Sequence, residues 1–120
     1  MIFSIELPIR IESVMNGSHG HWRARAGRAK RQRESVALAV PKHKLPGLPC
    51  AVTLTRIAPR RLDGDNLQSG FKAVRDGIAD RMGIKDNDPR VTWAYDQRRG
   101  APNQYACRID IAKVEDSCAK

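Results

Sequence analysis

Apolar and polar residues alternate from Ile2 to Glu12, with Phe3, Ile5, Leu7, Ile9 and Ile11 on one side and Ser4, Glu6, Pro8, Arg10 and Glu12 on the other. A period of two predicts a strand with one buried face. Pro8 has no N–H to give a neighbouring strand, so it predicts an edge position or a local break. Asn16, Gly17, Ser18 and Gly20 mark a loop over residues 13–21. Trp22, Ala26, Ala29, Val36 and Val40 then recur at helical spacing, which predicts a helix over 22–40, weakened in its first half by Gly27 and ended by Pro41. Prolines at 41, 46 and 49 make a linker, and residues 50–58 read as a second strand with Val52 and Leu54 inward. The strongest helical signal covers 66–82, where Leu67, Phe71, Val74, Ile78 and Met82 form one stripe. Asp65 is its expected N-cap and Gly83 its stop. Val91, Trp93 and Tyr95 share a face of a third strand; Tyr105, Cys107, Ile109 and Ile111 share a face of a fourth. The segment from Arg98 to Asn103 between them reads as a hairpin loop.

The order β-α-β-α-β-β predicts an α+β fold, a four-stranded mixed sheet with two helices packed on one face, since four one-sided strands need one common cover. A chain of 120 residues fits one domain, here residues 1–114, with a frayed tail over 115–120. There is no basic-then-apolar leader pattern and no apolar run long enough to span a bilayer, so no membrane partner is expected. Three cysteines, Cys50, Cys107 and Cys118, show no pair spacing, which fits a reduced, cytoplasmic protein rather than a disulfide or zinc scaffold.

Charge changes the picture. With 22 Lys and Arg against 13 Asp and Glu, the net charge is +9, a field that attracts polyanions. The stretch Arg23, Arg25, Arg28, Lys30, Arg31 and Arg33 concentrates it, and Arg60-Arg61 adds to it. These are the expected contacts to a nucleic-acid backbone, which position a duplex without reading its sequence. The carboxylates gather elsewhere. Asp63 and Asp65 flank Gly64 at the strand-to-helix junction, where residues two apart in extended chain project to one side. Asp86 or Asp88, in Asp86-Asn87-Asp88-Pro89, can supply a third. Hard oxygen donors suit Mg²⁺, or Mn²⁺, and the scattered His19, His21 and His43 make no zinc set. Taken singly, Asp65 is a helix cap and Asp86–Pro89 a turn. Trp93 and Tyr95 sit on an apolar alternating face, which predicts core positions rather than base-stacking ones.

Arg60-Arg61-Leu62-Asp63-Gly64-Asp65-Asn66-Leu67, a helix with Lys72 and Asp76, and Asp86-Asn87-Asp88-Pro89-Arg90-Val91 together resemble the RusA-type Holliday junction resolvases. The signature is Asp-x-Asp-Asn-Leu, a helical Lys with an Asp four residues on, and an acidic pair shortly before a Val. The N-terminal strand, Asn16 and the basic Trp-containing stretch are also similar, so the likeness runs over roughly residues 3–113. It implies a Bacterial or phage-encoded homodimer that nicks opposed strands of a four-way DNA junction. It implies Mg²⁺-binding catalytic carboxylates at Asp63, Asp65 and Asp88, with Asp86 assisting or substituting, Lys72 as the catalytic lysine, and Asn16 beside the basic residues at the DNA. The family lysine lies four residues after the second Asp, where this chain has Ser69; Lys72, one turn further, keeps the step to Asp76. Asn87 replaces the first member of the acidic pair.

Two functions therefore stand side by side. One is a Mg²⁺-dependent endodeoxyribonuclease for branched DNA. The alternative is a catalytically inactive nucleic-acid-binding or phage regulatory protein on the same scaffold, to which the Ser69 departure points.

Overall fold

The computed structural model describes residues 2–12 and 22–114, with the side chains of 22–25 outside the described set. The elements are strand β1 (Ile2–Leu7), helix α1 (Trp22–Ala39), a short 3₁₀ turn (Lys42–Lys44), strand β2 (Cys50–Ala58), helices α2 (Gly64–Gly70) and α3 (Lys72–Met82), and strands β3 (Val91–Arg99) and β4 (Ala106–Lys113). The sheet order is β1-β4-β2-β3, with β4 antiparallel to both β1 and β2, and β3 parallel to β2. The expected α+β fold with a four-stranded mixed sheet is present.

Register explains how the strands share a core. Phe3, Ile111, Val52 and Trp93 are successive partners across the sheet, as are Ile5, Ile109, Leu54 and Tyr95. Alternation puts both rungs on the face the helices cover. Val36 of α1 and Val40 just beyond it, Leu67 and Phe71, and Val74 and Ile78 of α3 close over them in one buried cluster with Ile11. Each such side chain, fully buried, contributes about 1.5–3 kcal/mol. The opposite face carries Ser4, Asp110, Thr53 and Ala94 on one rung and Glu6, Arg108, Thr55 and Asp96 on the next. It is a polar face, tied by Ser4–Asp110 at 2.5 Å and Arg108–Asp110 at 3.0 Å.

Five details differ from the sequence expectation. β1 stops at Leu7, short of the alternation to Glu12, at the edge position and break that Pro8 predicts. In α1, Ala26 and Ala29 are exposed, so only the second half of the expected apolar side reaches the core. The helix expected over 66–82 is two helices meeting at Phe71, where the last turn of α2 tightens and Phe71 N donates to Gln68 O at 3.1 Å. Among the described residues there are thus three α-helices, not two. The N-cap is Asp63 rather than Asp65; its side chain accepts from Asn66 N, and Asp65 falls in the first turn. β3 and β4 do not form a hairpin. They flank β2 from opposite sides, and the connection crosses the end of β2, with Gly100 N donating to Ala58 O at 2.9 Å. Gly83 stops α3 as expected, at φ 72°. The loop over 13–21, His19, His21, the tail and Cys118 lie outside the described residues.

α1 and α3 cross closely because Gly77 has no Cβ: one built there would stand 2.6 Å from Arg33 O and 3.0 Å from Val36 Cβ. The helices must separate to admit a methyl group. Gly77→Ala is expected to lower unfolding free energy by about 1–3 kcal/mol, the usual cost of overpacking, despite alanine's better helix propensity. Urea denaturation checks this; an unchanged midpoint would show that the crossing is loose.

Candidate functional site

The third rung of the covered face is polar where the first two are apolar: Arg56 lies between Cys107 and Gln97. Arg56 is only 7% exposed, and burial pulls its pKa down. Its Nε donates to Ile11 O at 2.9 Å and its Nη1 to Arg60 O. Gln97 clasps Leu62 from the other side, accepting from Leu62 N at 2.9 Å and donating to Leu62 O at 2.6 Å. Two strand side chains thus fix the loop that delivers Asp63 to the start of α2. Asp63 caps that helix, its Oδ1 accepting from Asn66 Nδ2 at 2.6 Å. Asp65 is exposed in the first turn, with no ion-pair partner among the described residues.

Lys72 opens α3. Its Nζ stands 2.9 Å from Asp76 Oδ1 and 2.8 Å from Asp86 Oδ2, a cation between two carboxylates. Asp86 and then Asp76 raise the Lys72 pKa, and Lys72 in turn lowers that of Asp86. The Asp86 carbonyl accepts from Arg75 Nη2 at 2.7 Å and Trp93 Nε1 at 3.1 Å, which pins the loop after α3 to β3. Asp88 is engaged differently. Arg90 grips both its oxygens, at 3.0 and 2.8 Å, and donates its backbone N–H to Oδ1 at 2.9 Å. That grip holds the Asp88 carboxyl down at about 2. The pairing is complete above the ordinary carboxylate range and is lost as pH falls through about 2. Asp88 is expected to titrate there by NMR, and Arg90→Ala to return it towards the ordinary range near 4. A normal Asp88 titration in the parent protein would remove the pair.

A groove of about 780 Å³ runs between α1, the segment Pro8–Glu12 and the start of α3. Arg10, Arg28, Lys30, Arg31, Arg33 and Lys72 line it, against Glu12 and Asp76. Arg10 pairs with Glu12 at 2.6 Å, and Arg33 with Asp80 across the α1–α3 crossing at 2.6 Å. Arg28, Lys30 and Arg31 have no carboxylate partner among the described residues, so their charge is uncompensated. A second cleft, of about 520 Å³, lies between α2 and β3. Lys72 lies between the two, because it lines the first and holds Asp86, whose carbonyl is bound by residues of the second.

Of the expected site residues, the structure joins Lys72 to Asp86 and brings Arg28, Lys30 and Arg31 into one groove with Lys72. Arg60 and Arg61 are exposed on the loop before α2, away from that groove's lining. Arg23 and Arg25 belong to α1 with side chains outside the described set, and Asn16 lies outside the described residues. Among the described residues, no three His, Cys, Asp or Glu side chains stand close enough to hold a metal ion. The donors have the right hard-oxygen chemistry, but this placement does not fit a three-carboxylate Mg²⁺ site.

Sequence reasoning passed over Arg10, Arg56, Arg75 and Gln97, and took Arg33 for a nucleic-acid backbone contact where the structure ties it to Asp80. The signal available was a polar residue at an inward strand position, Arg56 continuing the Val52-Leu54 pattern, which marks a side chain with a dedicated partner. No model of a known protein family and no curated protein sequence matches this chain. Among the described residues, no helix is long and apolar enough to cross a membrane.

Proposed function

We propose that the protein binds the backbone of branched DNA through the α1 groove and nicks it beside Lys72, as a structure-specific endodeoxyribonuclease acting as a homodimer. The observation that carries the reading is the groove itself: three uncompensated cations of α1 and the Lys72 ammonium line one channel, the arrangement a phosphodiester chain neutralises. Cleavage rests on the resemblance at Asp63–Leu67, Lys72–Asp76 and Asp86–Val91. In this reading Arg28, Lys30 and Arg31 hold phosphates, and Lys72 places positive charge where negative charge develops on the reacting phosphate oxygens. Asp76 and Asp86 orient the Lys72 ammonium. Two copies related by a two-fold axis supply the paired nicks that a four-way junction needs.

The placement of the carboxylates favours a second reading, an inactive branched-DNA-binding protein, since Arg90 occupies both Asp88 oxygens. One experiment separates the two. A synthetic four-way junction is incubated with the protein in Mg²⁺, in Mn²⁺ and in chelator. Symmetric nicks with either metal and none in chelator support the nuclease. Junction binding without nicks under any of these conditions supports the inactive protein.

Backbone binding has its own signature. Arg28→Ala and Arg31→Ala are each expected to weaken binding to all DNA and to reduce the slope of log affinity against log salt by roughly 0.9. Titrations across a salt series measure it. An unchanged slope in the double variant would move the DNA out of this groove.

A further inference from the structure

We propose that the cleft between α2 and β3 is a subsite for an unpaired nucleobase; it rests on the nucleic-acid reading of the neighbouring groove. The cleft is lined by Trp93 and Tyr95 of β3, Arg75 of α3, and Gly64, Leu67 and Gln68 of α2. β3 is an edge strand, so among the described residues no strand extends the sheet beyond it, and Trp93 and Tyr95 remain half-buried while Val91 at the start of the same face is covered.

Both aromatic side chains are held in place by their polar tips. Trp93 Nε1 donates to Asp86 O at 3.1 Å, and the Tyr95 hydroxyl accepts from Arg75 Nη1 at 2.9 Å. The Arg75 guanidinium stacks 4.6 Å from the centre of the Trp93 ring and spends Nη2 on Asp86 O. Phe71 backs Tyr95, with ring centroids 5.9 Å apart. Aromatic surface fixed in advance loses little entropy when something stacks on it.

The lining also selects the class of ligand. A free phosphate would want an available cation, but both terminal nitrogens of Arg75 are already given to Asp86 O and Tyr95. An apolar side chain would make no use of the exposed Gln68 carboxamide. A nucleobase has a π face for the aromatic wall and a polar edge for the exposed Gln68 carboxamide. Its source is set by continuity. A strand whose phosphates follow Arg28, Arg31 and Lys72 passes Asp86 and reaches Trp93 next. In a duplex that base is stacked and paired; at a branch point or in a single strand it is available.

The test uses Trp93 fluorescence in the full chain. The sequence has two tryptophans, so Trp22→Phe leaves Trp93 as the one tryptophan, excited selectively at the red edge where tyrosine does not absorb. In chelator, where no strand is cut, the protein is titrated with a short oligothymidine and with a blunt duplex of equal length. The single strand is expected to quench Trp93 emission and the duplex to leave it unchanged. Trp93→Leu should lower single-strand affinity about tenfold or more with duplex affinity retained, and Trp93→Phe should restore it. Gln68→Phe fills the cleft from an exposed position without touching the anchored pair, and should cause a similar selective loss with an unchanged circular dichroism spectrum. If both nucleic acids bind and Trp93 emission never changes, or if the variants weaken both alike, the subsite is overturned and the groove stands. If neither binds, the groove reading fails and the subsite with it.

Discussion

Lys72→Ala is expected to lower the single-turnover nicking rate on a four-way junction by about 10²-fold or more, with junction affinity reduced only slightly. The split follows from where the ammonium sits. It is one of six cations along the groove, so its share of ground-state phosphate attraction is small. Its Nζ donates hydrogen bonds to two carboxylates, Asp76 at 2.9 Å and Asp86 at 2.8 Å, which fixes its position and strengthens its hold on its proton. A charge held in place contributes most where charge develops, because no reorganisation is needed at that moment. Its removal also leaves Asp76 and Asp86 without the cation they share, adding repulsion beside the reacting phosphate. Lys72→Arg retains the charge but cannot place it at the same point, and should recover only part of the rate. A Lys72→Ala protein that nicks at the parental rate would assign the role to another cation, Arg33 being the nearest in the groove to Asp76 at 3.9 Å.

Period-two alternation made the four strands legible, and the stripe from Leu67 to Met82 made the α2–α3 segment legible, because both patterns record which side of an element is buried. Neither pattern records which strand lies next to which. The Arg98–Asn103 segment has the composition of a hairpin turn, yet β2 takes β3 on one side and β4 on the other; the buried rungs through Val52 and Leu54 are completed only by that order. The break at Phe71 was equally hidden, since steps of three and four suit one helix or two. Gly70 marks it in hindsight: a Cβ there would stand 2.7 Å from Glu12 O, so the chain of residues 11–12 comes close at the point where the helix turns. The shift of the N-cap to Asp63 has a local cause. Asp63 and Asp65 are both good caps, and a cap accepts from the N–H three residues on, which for Asp63 is Asn66. At the site, residue types were legible but their meetings were not. Lys72 and Asp86 are brought together by the length of α3 and the path of the following loop, and Arg75 reaches Trp93 and Tyr95 through the parallel pairing of β3 with β2.

Arg56→Met is expected to lower the unfolding free energy by about 2–3 kcal/mol, and to weaken junction binding although Arg56 does not line the groove. Methionine matches the length and fills the space of the aliphatic stem, so packing on Cys107 and its neighbours is largely kept. What is lost is the pair of donors to Ile11 O and Arg60 O. Hydrogen bonds from a charged donor contribute about 1.5–3 kcal/mol each, and carbonyls left buried without a partner add to the cost. Against this, the variant no longer holds a desolvated guanidinium, which offsets part of the sum. The functional consequence comes from what those carbonyls anchor. Ile11 adjoins Arg10 and Glu12 on the groove wall, and Arg60 begins the loop that ends in the α2 cap at Asp63. One side chain therefore ties the basic groove to the carboxylate-bearing helix start. Arg56→Lys keeps the charge but replaces the planar fork with a single ammonium, and should recover stability more than it recovers binding. Denaturant unfolding and junction titration are to be run on the same preparations. Equal unfolding midpoints for parent and Arg56→Met would show that neither carbonyl depends on the guanidinium.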